Sequence, residues 1–313
     1  MQRILEPTKR VKDFIHAHWD KKSPLLLGFS GGPDSKALLH CLLDAGVTPL
    51  HLAHVDHGWR EESGEEALQL AREADALGLP FHSIRLSERV ERNLEDHARK
   101  ARFAFFRELF QQMPFQALLL AHHRDDVAET ALKRLLEGAH LPQLSGLIPR
   151  ASIDGLPIWR PLLTIRKEAL LQELERRSTT FLTDRTNDDP KFLRTRLRQG
   201  ILPALAATFG KEVSENLAQL SERALELREY LERRVEVCWE EGKEKGVFDT
   251  HLLAAERLEV RYLVQKAVSG MKMTLTRCVL ESLVDTLLNK TPYRQFEVGG
   301  RTLVADRGFF RTN

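Results

Sequence analysis

The sequence predicts an α/β protein, a doubly wound parallel sheet followed by a smaller, mainly helical C-terminal domain. Three observations carry this reading. Short apolar runs alternate with longer amphipathic runs between residues 25 and 137, the pattern of strands joined by right-handed helical crossovers. A glycine-rich turn, Ser30-Gly31-Gly32-Pro33-Asp34-Ser35, lies between the first strand and the helix that follows it. Beyond about residue 206 the pattern becomes that of long helices. The boundary therefore falls between domains 1–205 and 206–313.

Residues 1–22 read as a lead-in helix, and Leu25-Leu26-Leu27-Gly28-Phe29 as the first buried strand. A second strand covers 49–55, with a charged helix at 61–77. A third strand covers 80–86 and a helix runs from 93 to 112. The fourth strand is 115–121, and a helix at 124–137 follows. Residues 138–161 are rich in glycine and proline and read as loop. A helix at 166–178, a polar turn at Asp184–Pro190 and a basic helix into Pro203 complete the first domain. In the second, Leu217, Leu220, Ala224, Leu227, Leu231, Val235 and Cys238 mark one long amphipathic helix. Packing within the domain is its expected role, and a coiled-coil homodimer is the rarer alternative. The tail at 293–310 reads as short strands around a Gly299-Gly300 turn.

The chain has 313 residues, enough for two domains with a substantial core. Its first twenty residues are charged throughout, which predicts no signal peptide, and no apolar run reaches membrane-spanning length. Cys41, Cys238 and Cys278 are far apart, with no C-x-x-C pair. That argues against a cysteine-based zinc or iron–sulfur site and predicts a reducing, cytoplasmic setting. A net charge of +2 neither demands nor excludes nucleic acid.

The glycine turn aims backbone N–H groups and the positive end of a helix dipole at one point, which suits a phosphate. Pro33 fits the first helical position. Asp34 is the odd residue, because a carboxylate repels phosphate unless a cation lies between them. The loop thus reads as a site for a polyphosphate with Mg²⁺. It lacks the Gly-Lys-Ser/Thr of a Walker A loop and the glycine spacing of a dinucleotide fingerprint. Gly28-Phe29-Ser30-Gly31-Gly32 does match the G-x-S-x-G nucleophile elbow. Against a hydrolase, few residues precede Ser30 to build an oxyanion-hole loop, and the last third of the chain offers only His251 as a late histidine.

Ligands of a parallel sheet bind at the carboxyl ends of its strands, and each strand here ends in reactive residues. The second ends in His54-Val55-Asp56-His57-Gly58-Trp59-Arg60, the third runs into Ser87-Glu88-Arg89, and the fourth ends in His122-His123-Arg124-Asp125-Asp126 with Glu129 one turn on. His122, Asp126 and Glu129 share one helix face. They read as a transition-metal site, or with Asp126 pairing Asp34 to hold Mg²⁺, and Asp125 or Asp126 reads alternatively as a helix cap. Arg99 and Arg102 lie three apart before strand four, and Arg102, followed by Phe103, Phe105 and Phe106, is the candidate phosphate contact. Lys191, Arg194, Arg196 and Arg198 form a basic cluster suited to a nucleic-acid backbone, or else a solvated face.

These residues resemble a known family. The Ser-Gly-Gly-x-Asp-Ser loop is similar to the PP-loop of the N-type ATP pyrophosphatases, Rossmann-like enzymes that cleave ATP between the α and β phosphates. Within that superfamily the chain resembles the lysidine synthetases acting on isoleucine tRNA. The further matching stretches are His54–Arg60 with Ser63, Ala98–Arg102, Ala121–Thr130, Arg160–Leu163, and Asp184–Asn187 with the basic helix. Two departures fall where substrate contacts are expected: Glu137-Gly138-Ala139-His140 in place of an Arg-Gly-x-Gly-like segment, and Arg194-Thr195 in place of Arg-Asn. The chain also reads as carrying one C-terminal helical domain, where longer members carry another.

The resemblance implies ATP and Mg²⁺ as cofactors, with Ser30, Gly31, Gly32, Pro33, Asp34, Ser35 and Arg102 at the nucleotide and Asp34 and Asp126 on the metal. It implies free L-lysine and an isoleucine tRNA with a CAU anticodon as partners, the tRNA met by Arg60, Lys191, Arg194, Arg196 and Arg198 and by the accessory C-terminal domain. O2 of the wobble cytidine would attack the α-phosphate, and the ε-amine of lysine would then attack ring carbon 2 and expel AMP, changing decoding from AUG to AUA. Asp126 and Glu129 are the candidates to bind the amine and take its proton, with His122 as a shuttle. The alternatives are another tRNA-modifying member such as a thiolase, which would need cysteines that no motif here contains, a glutamine-dependent synthetase, which would need a further domain, or a nucleotide-binding regulator.

Overall fold

The computed structural model describes residues 7–58, 63–86, 94–182, 191–253, 256–271 and 273–312. It divides into two compact units, Met1–Arg223 and Ala224–Asn313.

In the first unit, β1 (Leu25–Gly28), β2 (Leu50–Asp56), β3 (Phe81–Arg85), β4 (Ala117–Leu119), β5 (Arg150–Ile153) and β6 (Leu156–Trp159) form one sheet in the order β3-β2-β1-β4-β6-β5. All neighbours are parallel except β5, which runs antiparallel to β6 at one edge. The strand order reverses between β1 and β4, and there the connections leave for opposite sides. Such a switch point opens a crevice beyond the strand ends, and it lies between the glycine loop and the segment after β4.

Alternation along β1 explains the two layers. Leu25, Leu27 and Phe29 are buried with α1 (Pro7–His18), α2 (Pro33–Asp44) and α6 (Lys167–Arg176). Leu26 points to the other face, under Phe103, Phe105, Phe106 and Leu109 of α4 (Leu94–Gln112). Helix α3 (Ser63–Ala76) links β2 to β3, and α5 (Arg124–Leu136) follows β4.

Residues 138–161 correct the sequence expectation of a loop. They contain a short 3-10 turn, Leu141–Leu144, and the β5–β6 hairpin. Asp154 and Gly155 make the two-residue turn with φ of 50° and 80°, the left-handed geometry that hairpins favour and Asp-Gly supplies. Each strand is only four residues long and Pro157 interrupts β6, so the alternation signal is weak. The basic helix is also split. It comprises α7 (Leu193–Arg196), a wide π-type turn at Leu197–Ile201, and α8 (Leu202–Phe209).

Helix α9 (Val213–Lys245) follows the predicted apolar stripe. Leu217 packs with Ala128, Leu132, Leu197 and Leu202 in the first unit. Val235 and Cys238 enter the core of the second unit with α10 (Arg257–Gly270), α11 (Arg277–Leu288) and Phe310. That unit also holds a four-stranded antiparallel sheet of β7 (Phe248–Asp249), β10 (Phe309–Thr312), β9 (Arg301–Asp306) and β8 (Arg294–Val298), in that order. Among the described residues no helix is long and apolar enough to cross a membrane.

Histidines in the first unit set a pH dependence of stability. Burial lowers the pKa of His51 and of His82, whose rings stack with a 2.9 Å contact between Nδ1 and Nε2. Burial also lowers His18, His40 and His122, while His123 is raised. A lowered folded pKa means the unfolded chain takes the proton first, so stability is present above the ordinary histidine value and is lost as pH falls below it. His123 alone acts in the opposite sense. The urea midpoint is therefore expected to fall between pH 7.5 and pH 5, and His82→Phe to lessen that fall.

Candidate active site

The glycine loop is set by backbone geometry. Gly31 has φ +76°, and a Cβ there would lie 2.8 Å from both Leu182 Cδ1 and Leu70 Cδ2. Its carbonyl accepts the Leu182 N–H at 3.0 Å. Ser30 Oγ accepts the Gly32 N–H at 3.3 Å and lies 3.2 Å from Ser35 Oγ, which donates to the Gly32 carbonyl at 3.0 Å. Neither partner of Ser30 is a base, which removes the geometric ground for a serine nucleophile. Gly32 precedes Pro33 at the start of α2 and offers no side-chain cap, so the first N–H groups of the helix face the crevice. Gly31→Ala is expected to cost about 1–2 kcal/mol from the left-handed backbone, read as a lowered melting temperature together with weaker ATP binding by titration.

Asp34 reaches across the switch point. Its Oδ2 lies 3.5 Å from Lys167 Nζ and 3.7 Å from His123 Nε2. Its Oδ1 is buried without a hydrogen-bond partner. His123 is the centre of the site. It is 1 % exposed, with Nε2 3.5 Å from Asp126 Oδ2 and Nδ1 3.3 Å from Asp125 Oδ2. Burial alone would lower its pKa, but Asp125, Asp126 and Asp34 outweigh burial and raise it. Its backbone N–H donates to Asp126 Oδ2 at 2.9 Å, a reciprocal cap of α5. Asp125 turns the other way and accepts the Lys167 N–H at 2.9 Å. Burial opposes its charge, yet His123 and the Lys167 N–H hold its carboxyl down to about 2. Asp126 is likewise lowered, against burial, by His123 and His122.

One turn on, Glu129 is 2 % exposed. Arg198 donates from Nε to Glu129 Oε1 at 2.6 Å and from Nη2 to Asp126 Oδ1 at 3.3 Å. Glu129 Oε2 is buried without a partner, and burial raises the Glu129 pKa in spite of Arg198. His122 is half-buried, and its Nδ1 has no partner. Burial lowers its pKa, Arg160, Arg194 and Arg102 add to the effect, and Asp126 opposes it. Burial thus favours the uncharged imidazole.

Arg160 is 5 % exposed, donates from Nη1 to the Ile148 carbonyl at 2.9 Å, and buries an unpartnered Nε. Burial, with Arg99 beside it, lowers its pKa to about 10. Arg102 is open to solvent yet flanked by protein, and desolvation with Arg99 and Arg194 lowers its pKa. Arg99 stacks over Phe103 at 5.5 Å. Lys191, Arg194 and Arg196 are exposed.

The structure thus gathers Asp34, Asp126, Glu129, His122 and Arg198 from three sequence regions. Five buried polar atoms here, Asp34 Oδ1, His122 Nδ1, His123 Nδ1, Glu129 Oε2 and Arg160 Nε, lack a hydrogen-bond partner, where buried polar groups are ordinarily satisfied. Arg60, Ser87-Glu88-Arg89 and Asp184–Pro190 lie outside the described residues. Sequence reasoning did not single out His123, Asp125, Arg160 or Lys167 as site residues. His123 and Asp125 sit inside the His-His-Arg-Asp-Asp run, and Arg160 in a matching stretch. Lys167 carries no local signal, since it stands 133 residues from Asp34.

The orphaned Asp34 Oδ1 suits a divalent cation, whereas both oxygens of Asp126 already accept from N–H donors. Among the described residues no group of three or more His, Cys, Asp or Glu is arranged as a metal cage. All three cysteines are free thiols. Cys41 is buried, and burial pushes its pKa up to about 11, which makes it a poor nucleophile.

Residues 5–205 match the model of a family described as a PP-loop domain. The tRNA(Ile)-lysidine synthase of Protochlamydia amoebophila (strain UWE25) is 36 % identical over 315 aligned positions, 98 % of this chain and 69 % of that protein. That of Chlamydia caviae is 32 % identical over 298 positions, covering 93 % of each. Among solved structures, the U34-tRNA thiolase NcsA from Methanococcus maripaludis with its [4Fe-4S] cluster aligns with a TM-score of 0.57 and 17 % identity, over 71 % of this chain and 78 % of that one. At that identity the likeness speaks to the fold alone.

Proposed function

The chain belongs to the tRNA(Ile)-lysidine synthase family of PP-loop proteins, and we propose that it forms lysidine by ligating free lysine to carbon 2 of the wobble cytidine of a CAU-anticodon isoleucine tRNA, releasing pyrophosphate and AMP. The observation that carries this reading is the acidic pair Asp126 and Glu129. It already holds a cationic side chain, Arg198, and keeps one buried carboxylate oxygen unpartnered. An ammonium substrate has the same needs.

In this reading the Gly32–Ser35 backbone and the α2 N-terminus bind the ATP phosphates, with Ser30, Ser35 and Arg102 beside them. Asp34, through its unpartnered Oδ1, and Asp126, in exchange for a present N–H donor, are the residues that would hold Mg²⁺. When bound, the metal neutralises charge on the departing pyrophosphate. Cytidine O2 attacks the α-phosphate, and the O–P bond forms as the α–β bridge breaks. The amine of lysine then forms a bond to carbon 2 and AMP leaves with the C–O electron pair. Lysine's amine has an ordinary pKa of about 10.4 and arrives protonated. Glu129, made more basic by burial, is placed to accept that proton, and neutral His122 to pass it on. Exposed Lys191, Arg194 and Arg196, with Arg60, supply charge for the tRNA backbone.

Steady-state AMP formation tests the proposal. It is expected only when lysine and the tRNA are both present. Continuous AMP release without either one would contradict it.

A further inference from the structure

We propose that Lys167 binds the β- and γ-phosphates of ATP, and that its contact with Asp34 is the resting pair from which it swings to them. The inference rests on the reading of the glycine loop as an ATP site. Three observations carry it.

The backbone that bears Lys167 is fixed to the active site. The Arg124 N–H donates to the Ile165 carbonyl at 2.9 Å, and the Lys167 N–H to Asp125 Oδ2 at 2.9 Å. Two hydrogen bonds therefore join the start of α6 to the start of α5, and Ile165, Leu170 and Leu174 anchor the segment in the core.

The side chain itself is loosely held. Its Nζ lies 3.5 Å from Asp34 Oδ2, and both groups are about a third open, 32 % and 29 %. An ion pair of that length and exposure holds little free energy, so leaving it costs little.

Among the described residues, Asp34 forms ion pairs with Lys167 and His123. His123 is 1 % exposed and fixed among Asp34, Asp125 and Asp126. Lys167, on a four-carbon stem, can exchange a carboxylate for a phosphate. A triphosphate brings several negative charges next to Asp34, Asp125 and Asp126, and Lys167 is a cation at the loop that can offset them.

The test is calorimetric titration of the full chain, in one magnesium buffer, with ATP, AMP and inorganic pyrophosphate. Lys167→Met is expected to weaken ATP and pyrophosphate about tenfold or more, leaving AMP within about twofold. Lys167→Arg should restore most of the ATP affinity, and the melting temperature of both variants should stay near wild type. Unchanged ATP and pyrophosphate affinities in Lys167→Met would overturn the inference while leaving the ATP site standing. Equal weakening of AMP would overturn it in favour of a purely structural pair. Failure of the wild-type chain to bind ATP would overturn both readings.

Discussion

Asp34→Asn is expected to lower the rate of pyrophosphate release about 10²–10³-fold, the size of losing one group that stabilises charge in the transition state. Asparagine keeps the shape of the side chain and removes its charge. Asp34 is the second residue of α2, at the glycine loop, with one oxygen toward Lys167 and His123 and the other buried without a partner. No core residue depends on it, so the melting curve should change little. Quench-flow measurement of pyrophosphate release, with circular dichroism as the folding control, separates the two effects. Wild-type release by Asp34→Asn would remove the residue from the mechanism.

Glu129→Gln is expected to raise the KM for lysine about 30-fold or more, in the range seen when one member of a buried, hydrogen-bonded charge pair is neutralised. Its carboxylate is 2 % exposed and accepts Arg198 Nε at 2.6 Å. Glutamine leaves that guanidinium facing a neutral amide and takes away the acceptor assigned to the ammonium. The KM for ATP and the single-turnover release of pyrophosphate should remain near wild type, because Glu129 is assigned no contact with the glycine loop. A rise in both KM values would mean that the substitution disturbs the site as a whole. Measuring the lysine KM across pH adds a second check. Burial raises the Glu129 pKa, so lysine binding by the wild-type chain should weaken as pH falls toward the carboxylate range, and Glu129→Gln should flatten that limb.

How much of this was legible in the sequence follows from which signals are local. The β1–loop–α2 unit is written in eleven consecutive residues, 25–35, and it appears as read. Asp126 and Glu129 are legible because helical spacing puts them on one face, which is where α5 holds them. The β5–β6 hairpin was obscured by strands of four residues and by Pro157, although Asp154-Gly155 is a hairpin turn pair. Arg198 was read with the exposed basic cluster. The π-type turn at Leu197–Ile201 breaks the regular helix at that point, and Arg198 meets Glu129 and Asp126 instead. Helical spacing cannot anticipate such a break. Lys167 and Arg160 reach the site only through the sheet order that sets β6 beside β4, a long-range fact with no local mark.

One measurement bears most directly on the proposal that this crevice joins lysine to tRNA. The chain is incubated with ATP, Mg²⁺, radiolabelled lysine and isoleucine tRNA bearing a CAU anticodon, and the RNA is then digested to nucleosides. The account predicts one labelled nucleoside, formed with one AMP per lysine incorporated and absent when Asp34→Asn replaces the wild-type chain. ATP cleavage that leaves the nucleosides unlabelled, or a labelled product formed equally by Asp34→Asn, would contradict it.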